Sequence, residues 1–299
     1  MLSENTRDWI EAATGARVTG ITRIRAATSC LLHDIEIQSK GEKTHLVLRR
    51  FNDQQWVKRE PDIALREATS LQHASRAGLP IPALIAVDAN GDRCGVPATL
   101  VTRLAGEVVL SPANSDRWLT GLAEAAARIH RIDAGGFRWK YRRYNEGETL
   151  TVPAWSEQPE AWKKAIAVVN GPAPAYPEVF VHRDYHPSNV LWQGDRVSGV
   201  VDWVNGCRGP AAIDVAWCRH NLANLHGVSV ADDFLKAYEK AAGAEFSYDP
   251  YWDLMSVVEL LPGPPSMYDG WSAAGFPRIS NTVMRERVDA YVASVVVRL

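Results

Sequence analysis

The chain has 299 residues, 46% of them hydrophobic and 23% charged, with a formal net charge of −2. That apolar content suffices for one large core or two smaller ones, and the charge density is ordinary for a folded chain. The balance gives no basic surface for nucleic acid, and no run reaches the ~18 consecutive apolar residues of a membrane helix. Cys30, Cys94, Cys207 and Cys218 are dispersed, which predicts small core residues of a reduced compartment rather than a disulfide frame or a zinc site. The opening MLSENTRDWIEAATG has no basic segment followed by an apolar run, so the expected location is the cytoplasm.

In chain order, RVTGITRI and LLHDIEIQS predict strands on either side of RAATSC, and THLVLRRF predicts a third. DIALREATSLQHASRAG has helical periodicity through Ile63, Leu65, Ala68 and Leu71, with Gly78 just past its end. ALIAVDANGDRCGVPATLVTRL predicts two strands around the turn Asn90-Gly91. The character changes at residues 105–107. DRWLTGLAEAAARIHRI is a predicted helix with Trp118, Leu122, Ala126 and Ile129 on one stripe. Residues 133–178 are expected to be irregular, and the remainder after residue 217 is expected to be mainly helical. The expectation is therefore α+β: residues 1–104 as a small sheet-rich lobe, and residues 105–299 as a larger helical lobe.

The chemistry concentrates in FVHRDYHPSNVLW, residues 180–192, and in VSGVVDWVNGCRGPAAIDVAW beyond it. Asp184 stands five residues before Asn189, and Asn189 enters an apolar strand. A carboxylate at the first position suits a proton acceptor, and an amide oxygen at the second suits a hard cation such as Mg²⁺. Asp202 closes the apolar run VSGVV. A hairpin turning at Gln193-Gly194-Asp195 is expected to bring Asn189 and Asp202 to one mouth. Three oxygen-bearing residues converging on one mouth amount to a metal–phosphate site with a base beside it.

HRDYHPSN fits the kinase catalytic-loop pattern H-R-D-x-x-x-x-N, and VDW stands where protein kinases carry D-F-G. The D-W form, YHPSNVLW and GPAAIDVAW resemble the aminoglycoside phosphotransferase family of small-molecule kinases, which includes macrolide kinases. The resemblance covers about residues 15–225. It implies a two-lobed protein-kinase-like fold, with residues 1–104 binding nucleotide and residues 105–299 carrying catalysis and the acceptor, Asp184 as the base for a substrate hydroxyl, and Asn189 and Asp202 as holders of Mg²⁺ on the phosphates of ATP or GTP. It leaves His182 and Asp214 as hydrogen-bonded supports of the loop, and His186 as a surface turn residue.

In the first lobe the resemblance implies a strand cation paired with a helix glutamate. Glu67 suits the partner. Arg49 stands where protein kinases have lysine, with Arg50 beside it as the competitor. Ser29, with Thr28 and backbone amides, is the expected phosphate donor in a loop that lacks glycine. Thr102, Arg103 and Leu104, in TLVTRLAGE, are expected to meet the nucleobase. Val204 replaces the acid of the family's D-W-E, so one acidic group near the metals is expected to be missing.

FRWKYRRY, residues 137–144, interleaves aromatic and basic residues, but in a chain of this charge it is read as a solvated or substrate-facing loop. Of the eleven tryptophans, Trp155, Trp162, Trp252 and Trp271 fall where an acceptor pocket is expected, with core packing the reading for most of them. Glu157, Glu160, Asp253, Glu259 and Asp269 are too scattered to diagnose a cationic acceptor. The expected activity is transfer of a γ-phosphoryl group to a hydroxyl of a small molecule: an aminoglycoside or macrolide, or a metabolite such as choline, thiamine or homoserine. The alternative is a nucleotide-binding regulatory module without catalysis, suggested by Arg49, the missing glycines and Val204. A protein kinase would need an activation segment ending in A-P-E, and only eleven residues separate Asp202 from Asp214. No nucleic-acid or membrane partner is expected, and the oligomeric state is left open.

Overall fold

The structure is a computed structural model that describes residues 2–24, 30–261 and 263–299. The chain forms two compact units, residues 1–106 together with 198–206, and residues 107–197 together with 207–299.

The first unit opens with helix α1 (Glu4–Thr14), whose Ser3 cap accepts from the Thr6 amide at 3.2 Å and whose end is turned by Gly15 at φ 64°. Strands β1 (Arg17–Ile24), β2 (Leu31–Ser39) and β3 (Glu42–Arg50) follow. After the short α2 (Gln54–Arg59) come α3 (Ile63–Ala74), β4 (Leu84–Asp88) and β5 (Ala98–Thr102). The five strands make one antiparallel sheet in the order β1-β2-β3-β5-β4. Between β4 and β5 the Asp88 carboxylate accepts from the amides of Asp92, Arg93 and Cys94 at 2.7–3.0 Å. Gly91 there has φ 82°, and a side chain on it would run into the backbone of Val96, so only glycine serves.

Apolar alternation assigns the faces of this sheet. Ile10, Val18, Ile35, Leu46, Leu48 and Leu100 form one cluster, while Phe51, Ile63, Ala64 and Val204 form another. Each such buried side chain contributes roughly 1.5–3 kcal/mol relative to exposure, against roughly 1 kcal/mol for a helix cap. Packing, not capping, therefore holds this unit together.

The second unit begins with β6 (Glu107–Val108) and α4 (Ser115–His130), capped by Asn114 accepting from the Arg117 amide. Then come α5 (Pro159–Val169), β7 (Val179–Val181) and β8 (Val190–Gln193). β9 (Arg196–Val200), whose residues from 198 on belong to the first unit, follows a tight turn through Gly194, at φ 61°, and Asp195. β10 (Cys207–Gly209) pairs antiparallel with β7. The rest is helical: α6 (Ala211–His226), α7 (Val228–Ala242), α8 (Tyr251–Val258), α9 (Asp269–Ala273) and α10 (Asn281–Val296).

The α+β expectation holds, as an antiparallel sheet unit and a mainly helical unit. Two elements depart from it. The stretch 133–178, expected to be irregular, contains α5, started by Pro159 in its first turn. Helix α1 also precedes the first strand. α6 is buried on nearly every side, charged residues included, so it offers no apolar stripe to read in the sequence.

Gly121 in α4 lies under the Trp192 ring, and a Cβ there would stand 2.6 Å from Trp192 Cη2. Gly121→Ala gains ~1 kcal/mol of helix propensity but meets an overpacking cost of ~1–3 kcal/mol. The expected net result is lower stability, read as a lower guanidinium midpoint at unchanged slope.

Candidate active site

In the sheet unit the site starts from β3. Arg49 stands opposite Thr99 of β5 and is 6% exposed. Its Nη1 donates to Glu67 Oε1 at 2.8 Å and to Asp202 Oδ1 at 2.7 Å. Glu67, on α3, also accepts from Thr99 Oγ1 at 2.5 Å. Burial works against the charge of the guanidinium, but the carboxylates of Asp202 and Glu67 outweigh it and hold Arg49 firmly protonated. Arg50, the competitor, donates instead to the Cys94 carbonyl at 2.8 Å. Alternation along β3 thus gives Arg49 to the carboxylates and Arg50 to the β4–β5 loop.

Asp202 adopts φ 67°, a left-handed conformation costly for a residue with a Cβ. It leads into the single turn Trp203–Asn205, whose Trp203 is fully buried and donates from Nε1 to the Val200 carbonyl at 2.9 Å. Gly206 abuts Ser70 of α3 so closely that a methyl group there would collide with the Ser70 side chain. The segment carrying Asp202 is therefore seated directly on the helix carrying Glu67. The Val204 side chain packs with Phe51, Ile63 and Ala64, so an acid at this position would enter an apolar cluster rather than add a simple metal ligand.

Of the expected nucleobase residues, Thr102 spends its amide on the Ala83 carbonyl and Arg103 on the His45 carbonyl. The Arg103 side chain pairs with Asp34 at 2.5 Å. Leu104 packs beside Gly199, where a side chain would collide with it. Ser29, with Thr28, lies outside the described residues.

In the helical unit β7 delivers the loop His182–Asn189. Asp214, in the first turn of α6, accepts from the amides of His182 and Arg183, each at 2.7 Å. His130 of α4 meets the same carboxylate at 3.1 Å and is itself held by the Tyr238 hydroxyl at 2.6 Å. The His182 ring accepts from the Asp184 amide at 3.3 Å. Asp184 keeps its side chain 28% exposed. Asn189 donates from Nδ2 to the Asp184 carbonyl at 2.9 Å, an orientation that turns the amide oxygen, the atom a hard cation takes, the other way. His186 is not the surface residue that the sequence suggests. Its side chain is 15% exposed, 3.5 Å from Asp184 Oδ1 and 3.3 Å from Asn189 Nδ2, and its Nδ1 accepts from the Ser188 amide.

Sequence reasoning missed the support beneath this loop. Arg183, at φ 69°, donates to Glu259 Oε1 at 2.7 Å, and its guanidinium lies over the rings of Tyr144 at 3.9 Å and Tyr141 at 4.8 Å. Burial opposes the charge of Arg183, while Tyr144 and Glu259 sustain it. Glu259 also accepts from Tyr141 and from Trp217 Nε1. The run FRWKYRRY therefore supplies tyrosines that clamp the loop, and is not simply a solvated segment. Glu259 and Asp253 are likewise unavailable to a cationic acceptor, since Asp253 is buried against Arg219 at 2.9 Å. Among the described residues no three His, Cys, Asp or Glu side chains cluster as a metal site. Asp202 in the sheet unit and the amide oxygen of Asn189 in the helical unit are each of the oxygen type that Mg²⁺ takes.

Removing one member of a fully buried pair leaves the other charge stranded. Glu259→Ala is expected to destabilise the protein by ~3–5 kcal/mol, whereas Glu178→Ala, at a surface pair with Arg208, changes it by less than ~1 kcal/mol. Urea melts of the two variants check the contrast.

Comparison with known proteins agrees with this chemistry. The model of the phosphotransferase enzyme family matches residues 36–251. Homoserine kinases of Methylorubrum populi and Pseudomonas aeruginosa are 33% and 30% identical over 170 and 172 residues, covering 49% and 50% of this chain. The chain spans about half the length of these curated relatives. Among solved structures, macrolide 2′-phosphotransferase MphH from Brachybacterium faecium matches with a TM-score of 0.60 at 16% identity, covering 97% of this chain and 98% of that one. A thermostable mutant of aminoglycoside phosphotransferase APH(4)-Ia, in ternary complex with ADP and hygromycin B, gives 0.62 at 16% identity, covering 96% and 98%. These likenesses bear out the protein-kinase-like fold. With the family model matched over most of its length, the chain belongs to the phosphotransferase enzyme family.

Proposed function

We propose that the protein transfers the γ-phosphoryl group of ATP or GTP to a hydroxyl of a small molecule. The observation that carries this reading is Arg49, a buried cation shared at one nitrogen by Glu67 and Asp202. Kinases require such a strand cation and helix glutamate to hold the phosphates in place. A buried, permanently charged fork suits the α- and β-phosphates, and the carboxylates fix its direction before a nucleotide arrives.

In this reading Asp184 orients the acceptor hydroxyl and takes its proton as that oxygen attacks the γ-phosphorus and the bond to the nucleoside diphosphate breaks. Asp214 keeps the Asp184 loop in shape through two backbone amides, with His182 capping the Asp184 amide. Asn189 and Asp202 are the residues assigned to Mg²⁺, which when bound neutralises charge building on the phosphates. Because Thr102 and Arg103 already spend their amides, the nucleobase falls to the Leu104 amide and to carbonyls of residues 102–104. The homoserine kinase and antibiotic phosphotransferase relatives support a hydroxyl acceptor. The inward packing of Val204 and the charge locked onto Arg49 favour an active enzyme over a silent nucleotide-binding module.

Asp184→Asn is expected to lower turnover by roughly 10²–10⁴-fold while nucleotide affinity stays within about twofold. Coupled nucleotide-turnover assays and calorimetry read the two quantities, and undiminished turnover removes Asp184 from its role. Asp202→Ala is expected to abolish the Mg²⁺-dependent part of nucleotide binding, leaving calorimetric titrations with and without EDTA superimposable.

A further inference from the structure

The helical unit holds a pocket of about 290 Å³, at the lower end of the range for small-molecule sites. α6, α8 and α10 wall it, together with Trp155, Trp162 and Trp271. Trp217 joins it to the catalytic loop, since its ring lines the pocket and also lies 5.9 Å from the guanidinium of Arg183, the neighbour of Asp184.

Most of the lining is aromatic or aliphatic, yet it contains polar atoms that nothing satisfies. His220 is 1% exposed, and its ring meets only the Ser256 backbone, with no side-chain partner at either nitrogen. Asn224 Oδ1 and Trp155 Nε1 are likewise buried and unpaired. Buried polar atoms left unpaired cost roughly 1–3 kcal/mol each, and the residues that carry these line one pocket. The His220 ring is stacked on Tyr291 at 6.0 Å with 10° between planes, which fixes its direction. Burial pushes the imidazole down to about 4, against the opposing effect of a hydrogen bond with the Ser256 backbone, so it is neutral near pH 7. It then offers one N–H and one lone pair. The pocket as a whole presents donors and acceptors together.

What the lining lacks is charge. Among the described residues that form it, none is Asp, Glu, Lys or Arg. The buried carboxylates nearby are committed elsewhere: Glu259 to Arg183, Asp253 to Arg219, and Asp289 to Trp162 and Ser156. A polycation would lose its water here with no counter-charge in return, and a zwitterion would lose it at both ends.

Resting on the phosphotransferase reading above, we propose that this pocket takes the body of the acceptor, and that the acceptor is an uncharged alcohol with an aromatic or alicyclic ring. Its ring lies against the tryptophans, and its further hydroxyl or carbonyl groups meet His220, Asn224 and Trp155. Aminoglycosides and free amino acids are the wrong class for such a site.

Calorimetry of the full chain with tyrosol and coniferyl alcohol, against kanamycin A and L-homoserine, tests the proposal. Saturable binding of either neutral alcohol is expected, weakened roughly three- to tenfold by loss of one hydrogen bond in Trp155→Phe or His220→Phe. Trp155→Phe exchanges a half-buried indole for a smaller ring without an N–H, so it guards against a His220 variant that fails to fold. Binding confined to kanamycin A or homoserine, no binding of either alcohol, or alcohol binding indifferent to both variants would overturn the assignment. Phosphorus NMR of the same mixtures with ATP and Mg²⁺ separates the two layers. Transfer to homoserine without alcohol binding sinks the pocket assignment and leaves the phosphotransferase, whereas alcohol bound at the pocket with no phosphorylated product sinks the phosphotransferase reading for that class.

Discussion

A guanidinium removed from water survives only where negative charge surrounds it, and Arg49 is the case on which the sheet unit turns. Its side chain leaves the middle of a five-stranded sheet, and two carboxylates from distant parts of the chain meet it at one nitrogen. Buried charges without partners are among the most costly arrangements in a protein. The position of α3 and the return of residues 198–206 to the sheet are therefore constrained by the same atom. The left-handed backbone at Asp202 fits that view, since strain of this kind persists only where neighbouring contacts over-determine it.

The helical unit repeats the solution around a second arginine. Arg183 also has a left-handed backbone, a buried side chain and a carboxylate partner, with aromatic faces in place of a second acid. Asp214 completes the arrangement from below by taking two consecutive amides. The loop between β7 and β8 is thus fixed through backbone and flank, and Asp184 remains partly exposed and open to solvent chemistry.

Much of this was legible in the sequence because the informative spacings are local. Asp184 and Asn189 share one short loop, and the alternation Leu46-Val47-Leu48-Arg49 states which way Arg49 faces. Strands β1 and β2 were readable to the residue for the same reason. What escaped was set by tertiary packing. Glu259 and Tyr144 lie 76 and 39 positions from Arg183, and no periodic signal joins them. His186 reads as a turn residue until the loop folds it back on Asp184. α6 shows no stripe because every face is covered, and the inward packing of Val204 is invisible until α3 lies beside it.

α6 carries Asp214 in its first turn and Asn224 near its last, roughly 15 Å further along a helix of 1.5 Å rise. A helix transmits displacement along its axis as a stiff rod, because every peptide is tied to the one a turn away. The brace beneath the catalytic loop and one wall of the aromatic pocket are parts of that single rod. A molecule seated against Asn224 and His220 therefore shares a mechanical element with the amides of His182 and Arg183, and side chains of differing bulk at either end of α6 act on one common alignment.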